Sequence, residues 1–261
     1  MRILFTFLLL VLSQQGMAVD CYNHDDSSSS LSVLFATQED LDNDFPQECD
    51  TINGDLSIGL CSDSWIVEYF NLAPDSFDIE NLNALSNIKT ITGTLRISCN
   101  QYLKNLDGLK NVTSKISQLN ISGNSSLKNV SGLSSLSGID ILNINNNPSL
   151  ENIGWNSNLT KLESISINDN PSLKSLDGLS SLSERGISID IFRNTSLTNC
   201  ASLATVLGWP DKHPYDFLTS WRVAENASGC NSVLEIYADV AGVSSIDELN
   251  TDYEIPVNCV S

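Results

Sequence analysis

The sequence predicts an α/β-type repeat solenoid dominated by parallel β-strands, coiled like a right-handed β-helix through about six turns with disulfide-stapled end caps. Three observations predict this fold. One spacing of leucine, isoleucine and asparagine recurs between residues 95 and 203, the cysteines gather towards both ends of that region, and proline and aromatic residues replace the pattern after residue 203.

The first full copy of the repeat reads Leu95-x-Ile97-x-x-Asn100-x-x-Leu103-x-x-Leu106-x-x-Leu109. Its asparagine returns at residues 124, 147, 170 and 194, so successive copies lie 24, 23, 23 and 24 residues apart. Leu-x-Ile alternates with the period of a strand that has one buried face, and leucines at every third residue bring the chain back along an opposite wall. Because one copy cannot bury its apolar side alone, the copies must stack, as in a leucine-rich-repeat-like coil. We therefore expect parallel strands at 95–97, 119–121, 142–144, 165–167 and 189–191 in one sheet, with the repeat asparagines stacked in register.

The chain before residue 95 follows the same scheme less regularly. Gly54-Asp-Leu56-Ser-Ile58 is predicted as the first strand, and Leu82 to Ile91 as the return wall that leads into the first full copy. Between them, Phe77-Asp-Ile79 is a candidate short strand.

Several segments of this region resemble one known family. They are Cys49-Asp-Thr-Ile-Asn-Gly-Asp-Leu-Ser-Ile58, Ile88-Lys-Thr-Ile-Thr-Gly-Thr-Leu-Arg-Ile97, and the Asn-Pro-Ser-Leu at 147–150 and 170–173. Together they are similar to the receptor L domain, the ligand-binding leucine-rich module of the insulin-receptor and epidermal-growth-factor-receptor ectodomains, which also occurs alone in secreted proteins. The resemblance covers residues 49 to 203 and implies a single secreted, ligand-binding L domain.

The N-terminal residues predict export. Arg2 precedes an apolar run from Ile3 to Leu12, and small residues stand where a signal peptidase cleaves after Ala18, so residues 1–18 are predicted as a signal peptide. The apolar run is shorter than the ~20 residues that a membrane-spanning helix needs, so we expect a secreted, extracellular protein without membrane insertion. The remaining chain divides into an acidic N-terminal cap (19–53), the repeat solenoid (54–203), and a C-terminal cap with an acidic tail (204–261).

The seven cysteines favour disulfides over metal ligands, because the chain is predicted to be exported and contains no Cys-x-x-Cys pair. Cys21 and Cys49 bracket the N-terminal cap, and their spacing is similar to that of the opening disulfide of L domains. Cys61 and Cys99 each follow the strand of a separate early coil, where they are candidates to pair across stacked coils.

Two pairings stay open at the C-terminal end. If Cys200 pairs with Cys230, Cys259 is a candidate free thiol that predicts a disulfide-linked homodimer. If Cys230 pairs with Cys259, Cys200 is the spare cysteine, in the core-facing pattern of the last repeat.

Seven Asn-x-Ser/Thr sequons mark candidate glycosylation sites. Asn124 and Asn194 occupy the repeat asparagine position, where a glycan would displace hydrogen bonds between stacked copies. Asn120 falls on the outward face of a predicted strand. The better acceptors are the sequons in predicted turns, which are Asn111, Asn129, Asn158 and Asn226.

The charge excludes nucleic acid as a partner. The net charge is −19, and neither residues 3–88 nor residues 231–261 contain Lys or Arg, so polyanions are repelled. Asp40, Asp42 and Asp44 alternate like the first ligands of a calcium loop, although Phe45 and Thr51 stand where that loop has glycine and glutamate. Weak calcium binding at these aspartates is the only cofactor binding that the sequence predicts.

We expect no enzyme, because the sequence lacks a nucleophile elbow, a phosphate loop and a zinc-protease motif, and has only two histidines. The predicted ligand face consists of the outward residues of the strands, the surface that most solenoids use. These residues are Arg96, Ser98, Asn120, Ser122, Asn143, Asn145, Ser166, Asn168, Asp190 and Phe192. We expect a secreted recognition, adhesion or extracellular-matrix protein that binds a protein or a glycan. The alternative is an acidic structural component of a wall, mucus or mineral matrix, acting through calcium and bulk charge.

Overall fold

The structure is a computed structural model that describes residues 32–61, 79–155, 159–184, 187–207 and 221–243. The predicted signal peptide and the residues Cys21, Phe77, Asn158 and Cys259 lie outside the described residues. The repeat region from 95 to 203 is described apart from residues 156–158 and 185–186.

The described residues form two parallel β-sheets. The large sheet contains β1 (Ser32–Phe35), β3 (Asp55–Ile58), β5 (Thr94–Ser98), β6 (Lys115–Ser122), β7 (Gly138–Asn145), β8 (Ser164–Asn168), β9 (Ser188–Phe192) and β10 (Trp221–Ala224). The small sheet pairs β2 (Thr51–Ile52) with β4 (Thr90–Ile91). The eight strands of the large sheet follow one another in chain order, and every neighbouring pair is parallel. This arrangement is consistent with a parallel β-solenoid.

The repeat strands are in register as their sequence period requires. Leu95 pairs with Leu119, and the row continues through Leu142, Ile165 and Ile189. These side chains are at most 1% exposed, whereas their neighbours along each strand point away from the core. The prediction of five parallel strands in one sheet is therefore confirmed.

Short 3₁₀ helices form the wall opposite the large sheet. They are Asn83–Leu85, Asp107–Leu109, Ser131–Leu133, Asp177–Leu179 and Ala201–Leu203. Adjacent turns lie so close that a Cβ added at Gly132 would stand 2.0 Å from the carbonyl oxygen of Leu106, which explains a glycine in the second position of this 3₁₀ helix. The leucines spaced three apart are buried here, so the predicted return wall is present.

A chain of asparagines, here called the asparagine ladder, lies where the strands end, and all its members except the last are buried. It comprises Asn100, Asn124, Asn147, Asn170, Asn194 and Asn226. From Asn100 to Asn194, each member donates from its backbone N and from Nδ2 to Oδ1 of the next, at 3.0 to 3.2 Å. The Nδ2 of each member also donates to a strand carbonyl one strand back, for example from Asn147 to Ile121 at 3.0 Å. The amides thus supply the hydrogen bonds that the backbone loses where it turns off the sheet.

The sheet extends beyond the predicted solenoid at both ends. Strand β1 lies inside the predicted N-terminal cap, and β10 lies inside the predicted C-terminal cap. Helix α1 (Gln38–Asp44) follows β1, and helix α2 (Val233–Ala241) follows β10 with Ser232 as its N-cap and Gly242 in the left-handed region at its end. The predicted short strand at 77–79 is not present at its one described residue, Ile79, which is buried but not in a strand.

Two disulfides join described residues, Cys61 to Cys99 and Cys200 to Cys230. The second bond resolves the pairing that the sequence leaves open. Both its cysteines are at most 1% exposed, and the bond lies between the last repeat and α2. Cys49 is also disulfide-bonded. Such bonds persist in oxidising compartments.

Across the described ranges, neither helix is long and apolar enough to cross a membrane.

Candidate functional site

The ten residues of the predicted ligand face lie on the outer side of the large sheet in two straight rows. The first row runs from Arg96 on β5 to Asp190 on β9, and the second from Ser98 on β5 to Phe192 on β9. The parallel register brings them together, because residues that occupy the same repeat position stack on neighbouring strands. The structure adds Ser57 and Arg222 to the two ends of the first row.

Hydrogen bonds between side chains hold the middle of this face. Asn143 Nδ2 donates to Asn120 Oδ1 at 2.7 Å, and Gln118 Nε2 donates to the same oxygen at 3.1 Å. The hydroxyl groups of Ser98 and Ser122 lie 3.1 Å apart. Short polar side chains that are fixed in this way lose little further conformational freedom when a ligand binds.

Asn168 has a structural role rather than the ligand contact that its outward position suggests. It is only 7% exposed, and its Oδ1 accepts a hydrogen bond from the backbone N of Phe192 at 3.0 Å. Its Nδ2 donates to Ser166 at 2.8 Å and to Asp190 at 3.2 Å. All its polar atoms are engaged, so Asn168 positions Phe192 and Asp190.

The β9–β10 end of the face carries a cluster that we call the Phe192 cluster, made of Phe192, Arg222, Asp190, Arg193 and Glu225. The Arg222 guanidinium carbon lies 3.5 Å from the centre of the Phe192 ring, and that of Arg193 lies 5.0 Å from it. Asp190 accepts two hydrogen bonds from Arg222, at 2.6 and 3.0 Å. Arg193 donates to Glu225 at 3.1 Å.

The Phe192 cluster is charged and partly exposed to solvent. The Asp190 carboxylate raises the pKa of the Arg222 guanidinium, with smaller contributions from Glu225, so Arg222 stays cationic. The side chains of Arg222 and Arg193 remain 53% and 55% exposed. Arg193 and Glu225 share the position before a ladder asparagine, where a left-handed φ of 56° turns the chain outwards. Aromatic and arginine side chains held together are the usual centres of binding surfaces.

Two members of this cluster do not follow the spacing of the repeat. Arg222 and Glu225 belong to β10 and the residue after it, which lie 32 residues beyond their partners on β9 rather than the repeat's 23 or 24. The segment Trp221-Arg-Val223-Ala-Glu-Asn226 nevertheless matches Ile189-Asp-Ile191-Phe-Arg-Asn194, and that match is the signal that could have located them.

A second cross-strand ion pair closes the other end of the face. Arg96 donates to Asp55 at 2.9 Å, and the other oxygen of Asp55 accepts the backbone N of Thr94 at 2.8 Å. The side chain of Asp55 is 16% exposed, so this arginine is tied down beside a largely buried carboxylate.

The three aspartates of the predicted calcium loop, Asp40, Asp42 and Asp44, lie on helix α1. Asp40 accepts the backbone N of Thr37 at 3.1 Å and thereby completes a capping box. Asp42 accepts a hydrogen bond from Gln38 at 3.0 Å. Alternate positions of a helix lie about 200° apart around its axis, so these three positions do not converge on one ion. Within the described ranges, no group of three or more His, Cys, Asp or Glu residues is arranged to hold a metal.

The predicted glycan acceptors divide into two kinds. Asn111 is exposed and donates from Nδ2 to Ser86 O at 2.7 Å, Asn129 is half-buried, and both lie outside the asparagine ladder. Asn226, by contrast, is the last member of the asparagine ladder, and its Nδ2 donates to the carbonyls of Ile191 and Cys230, at 3.0 Å in both cases. The turn that holds Asn226 is therefore a turn of the asparagine ladder, and its amide nitrogen already donates two hydrogen bonds.

A scan against protein-family models and a search of the curated proteins each return no match for this chain.

Proposed function

We propose that this chain is a secreted, non-enzymatic recognition protein, built as one receptor-L-domain-like solenoid with a right-handed coil of about six turns. Three features support the proposal: the chain-order parallel sheet, the asparagine ladder and the disulfides, which are typical of exported proteins. Its ligand is an extracellular protein or glycan that docks on the outer side of the large sheet.

One observation carries the proposal, namely the Phe192 cluster on an otherwise flat polar face. Its aromatic ring lies under the Arg222 guanidinium, and Asp190 holds that guanidinium through two hydrogen bonds. On the adjacent strand β8, the side chains of Ser166 and Asn168 are polar groups fixed by hydrogen bonds beside it. An anchor of this kind surrounded by short polar side chains suits peptide backbone groups or sugar hydroxyl groups.

The test compares two aromatic substitutions on different surfaces. The wild type, Phe192→Ala and Tyr102→Ala are each immobilised and offered a glycan array and the extracellular fraction of the source organism. Tyr102 is the matched control because it is 53% exposed and follows β5, four strands away from β9. We expect Phe192→Ala to lower affinity at least about tenfold, and Tyr102→Ala to leave it unchanged. Equal losses in both variants, or none in Phe192→Ala, would contradict the proposed face.

A second candidate function is that of an acidic structural component, which the charge of −19 favours. Because Asp40, Asp42 and Asp44 lie on α1, bulk charge is the feature that supports this function. Binding through bulk charge would disappear at high ionic strength and would not depend on Phe192. The same immobilised variants, washed with about 1 M salt, separate the two functions.

We also retain the homodimer linked through Cys259 as a proposal about the assembled protein. Electrophoresis of the secreted chain without reducing agent should show a dimer that Cys259→Ser abolishes. A wild type that runs only as a monomer would contradict it.

A further inference from the structure

The sequons differ in what their amide nitrogens already do, and this difference decides which of them can carry a glycan in the folded protein. N-glycosylation replaces one hydrogen of Nδ2 and adds a bulky polar group, so the acceptor nitrogen must be free and must face solvent. The inference that follows rests on the proposed entry into the secretory pathway.

The ladder sequons fail both requirements. Asn124 is fully buried, and its Nδ2 donates to Ile97 O at 2.8 Å, to Ser122 O at 3.2 Å and to Asn147 Oδ1 at 3.1 Å. Asn194 is equally buried and donates to Ile167 O, Phe192 O and Asn226 Oδ1. A sugar on either nitrogen would break these bonds and would have no space.

Asn120 meets both requirements although it lies in the middle of a strand. Ile121 next to it is buried, so the alternation of β6 directs Asn120 outwards. Its Oδ1 accepts both hydrogen bonds that the side chain makes, from Asn143 and from Gln118. Its Nδ2 has no partner within the described part of the chain and is in contact with solvent. A glycan on this nitrogen leaves both hydrogen bonds of Oδ1 intact.

We propose that Asn120 is an N-glycosylation site and that its glycan stands on the outer face of the large sheet. In the reaction, Nδ2 forms a bond to C1 of the first sugar of a lipid-pyrophosphate-linked oligosaccharide. The bond from C1 to the pyrophosphate oxygen breaks, the lipid pyrophosphate leaves, and Nδ2 loses one proton. The acceptor sequence, Asn120-Ile-Ser122, is complete in the chain.

The glycan would divide the predicted ligand face. It stands on β6, directly beside β5 and β7, and therefore shields Arg96 and Asn143. Strand β9 is three strands away, about 14 Å at the usual spacing of strands in a sheet. The Phe192 cluster consequently stays open, which makes the β9–β10 end the part of the face that a ligand can reach.

Asn129 provides an internal reference on the other side of the molecule. Its Oδ1 accepts hydrogen bonds from the backbone N and the hydroxyl group of Ser131, and its Nδ2 is likewise free within the described residues. A glycan at Asn129 therefore shows that the chain reached the enzyme that transfers the oligosaccharide, whether or not the outer face of the large sheet is glycosylated.

The experiment produces the chain in a eukaryotic secretory host with the host's own signal peptide in place of residues 1–18. Peptide N-glycosidase in ¹⁸O-water then marks each formerly glycosylated asparagine as labelled aspartate, which peptide mass spectrometry locates. We expect label at Asn120 and Asn129 and none at Asn124, Asn194 or Asn226. Asn120→Gln and Ser122→Ala should each remove one glycan from the intact mass, whereas Asn143→Gln should remove none.

Secreted protein that carries label at Asn129 but not at Asn120 would overturn the proposal, as would secreted protein without any label. A parallel culture with the chain's own residues 1–18 tests entry into the secretory pathway by itself. Retention in the cytosol there would contradict the proposed secretion, while the host-leader sample still decides the acceptor at Asn120.

Discussion

Asn194 donates a hydrogen bond from its Nδ2 to the Oδ1 of Asn226 at 3.1 Å, although 32 residues separate the two. The backbone N of Asn194 donates to the same oxygen at 3.0 Å, as in every earlier step of the ladder. Asn226 in turn donates to the carbonyl of Cys230, which is disulfide-bonded to Cys200. The C-terminal cap thus continues the repeat architecture and ends the asparagine ladder at a covalent link.

The opposite end of the ladder is also marked by a disulfide. Ile58 pairs with Ile97, so Cys61 stands where the ladder would continue beyond Asn100, and Cys61 is bonded to Cys99. The Oδ1 of Asn100 is buried and has no hydrogen-bond partner among the described residues. A disulfide therefore takes the place of a further asparagine at this end, whereas at the other end the backbone N of Asn226 donates to Asn231 Oδ1 at 3.2 Å.

We predict that Asn147→Ala strongly destabilises the fold. The change removes the acceptor of two hydrogen bonds from Asn124 and the donor to Ile121 O, and leaves these buried groups without partners. Each unsatisfied buried group costs about 1–3 kcal/mol, so the free energy of unfolding should fall by about 3 kcal/mol or more. Asn152→Ala, at an exposed position of the same repeat, should change it by less than about 0.5 kcal/mol. Denaturant unfolding followed by circular dichroism measures both, and similar losses would refute the ladder's role.

Two glycines of neighbouring repeats should respond in opposite ways to alanine. A Cβ at Gly132 would meet the backbone oxygen of Leu106 at 2.0 Å, whereas a Cβ at Gly138 would meet only the flexible side chain of Lys115, at 3.3 Å. Gly132→Ala should therefore cost at least about 2 kcal/mol, because neighbouring turns must separate. Gly138→Ala should be neutral or stabilising by up to about 1 kcal/mol, since alanine is less flexible in the unfolded chain. Thermal melts of the two variants provide the comparison, and a tolerated Gly132→Ala would disprove the close approach.

Removal of the Cys200–Cys230 disulfide should loosen the C-terminal cap. The bond closes a loop of 30 residues and thereby restricts the unfolded chain. Replacing both cysteines with alanine should therefore lower the free energy of unfolding by about 3–4 kcal/mol. We expect the double variant to melt earlier and to be cleaved by protease near α2 before the repeat region is cut. Unchanged cleavage of α2 would mean that Tyr237, whose hydroxyl group donates to Leu207 O, holds the cap without the disulfide.

The capping box of α1 predicts that Asp40 stabilises the helix. Asp40→Ala removes the acceptor of the Thr37 backbone N and should lower the free energy of unfolding by about 1 kcal/mol. Asp42→Ala removes only an exposed contact with Gln38 and should cost a few tenths of a kcal/mol. Both differences should be the same with and without millimolar calcium. A melting temperature that rises with calcium only when Asp40 and Asp42 are intact would restore the metal site.

The sequence predicted the repeat strands because their causes are local. Leu95 and Ile97 alternate with Arg96, and the same alternation returns after the interval that stacking requires, so the inward residues could be assigned before any contact was known. The inward position of Asn124 and Asn194 followed from the same count. The predicted outward rows lie together for that reason too, although Asn168 is buried by bonds that no period reveals.

Strands β1 and β10 could not be predicted in this way. Val33 and Phe35 form one short alternation without a second copy at the repeat interval, and Val223 stands 32 residues after Ile191. Each strand forms by pairing with the edge strand of the neighbouring sheet, and that edge exists only once the neighbouring strands have folded.

Which side chains face the core, and where the chain turns, could be read from the amino-acid sequence, because the period of an extended strand and the hydrogen-bonding needs of a turning backbone act over a few residues. Tertiary structure alone decided that Cys200 bonds Cys230, that Asn226 ends the ladder, and that Arg222 lies over Phe192. These partners are about 30 residues apart in the chain, and their distance in space depends on how the ends of the stack close. The candidate binding cluster therefore lies where the repeat stops being regular, since only there do side chains from outside the repeat meet its last strand.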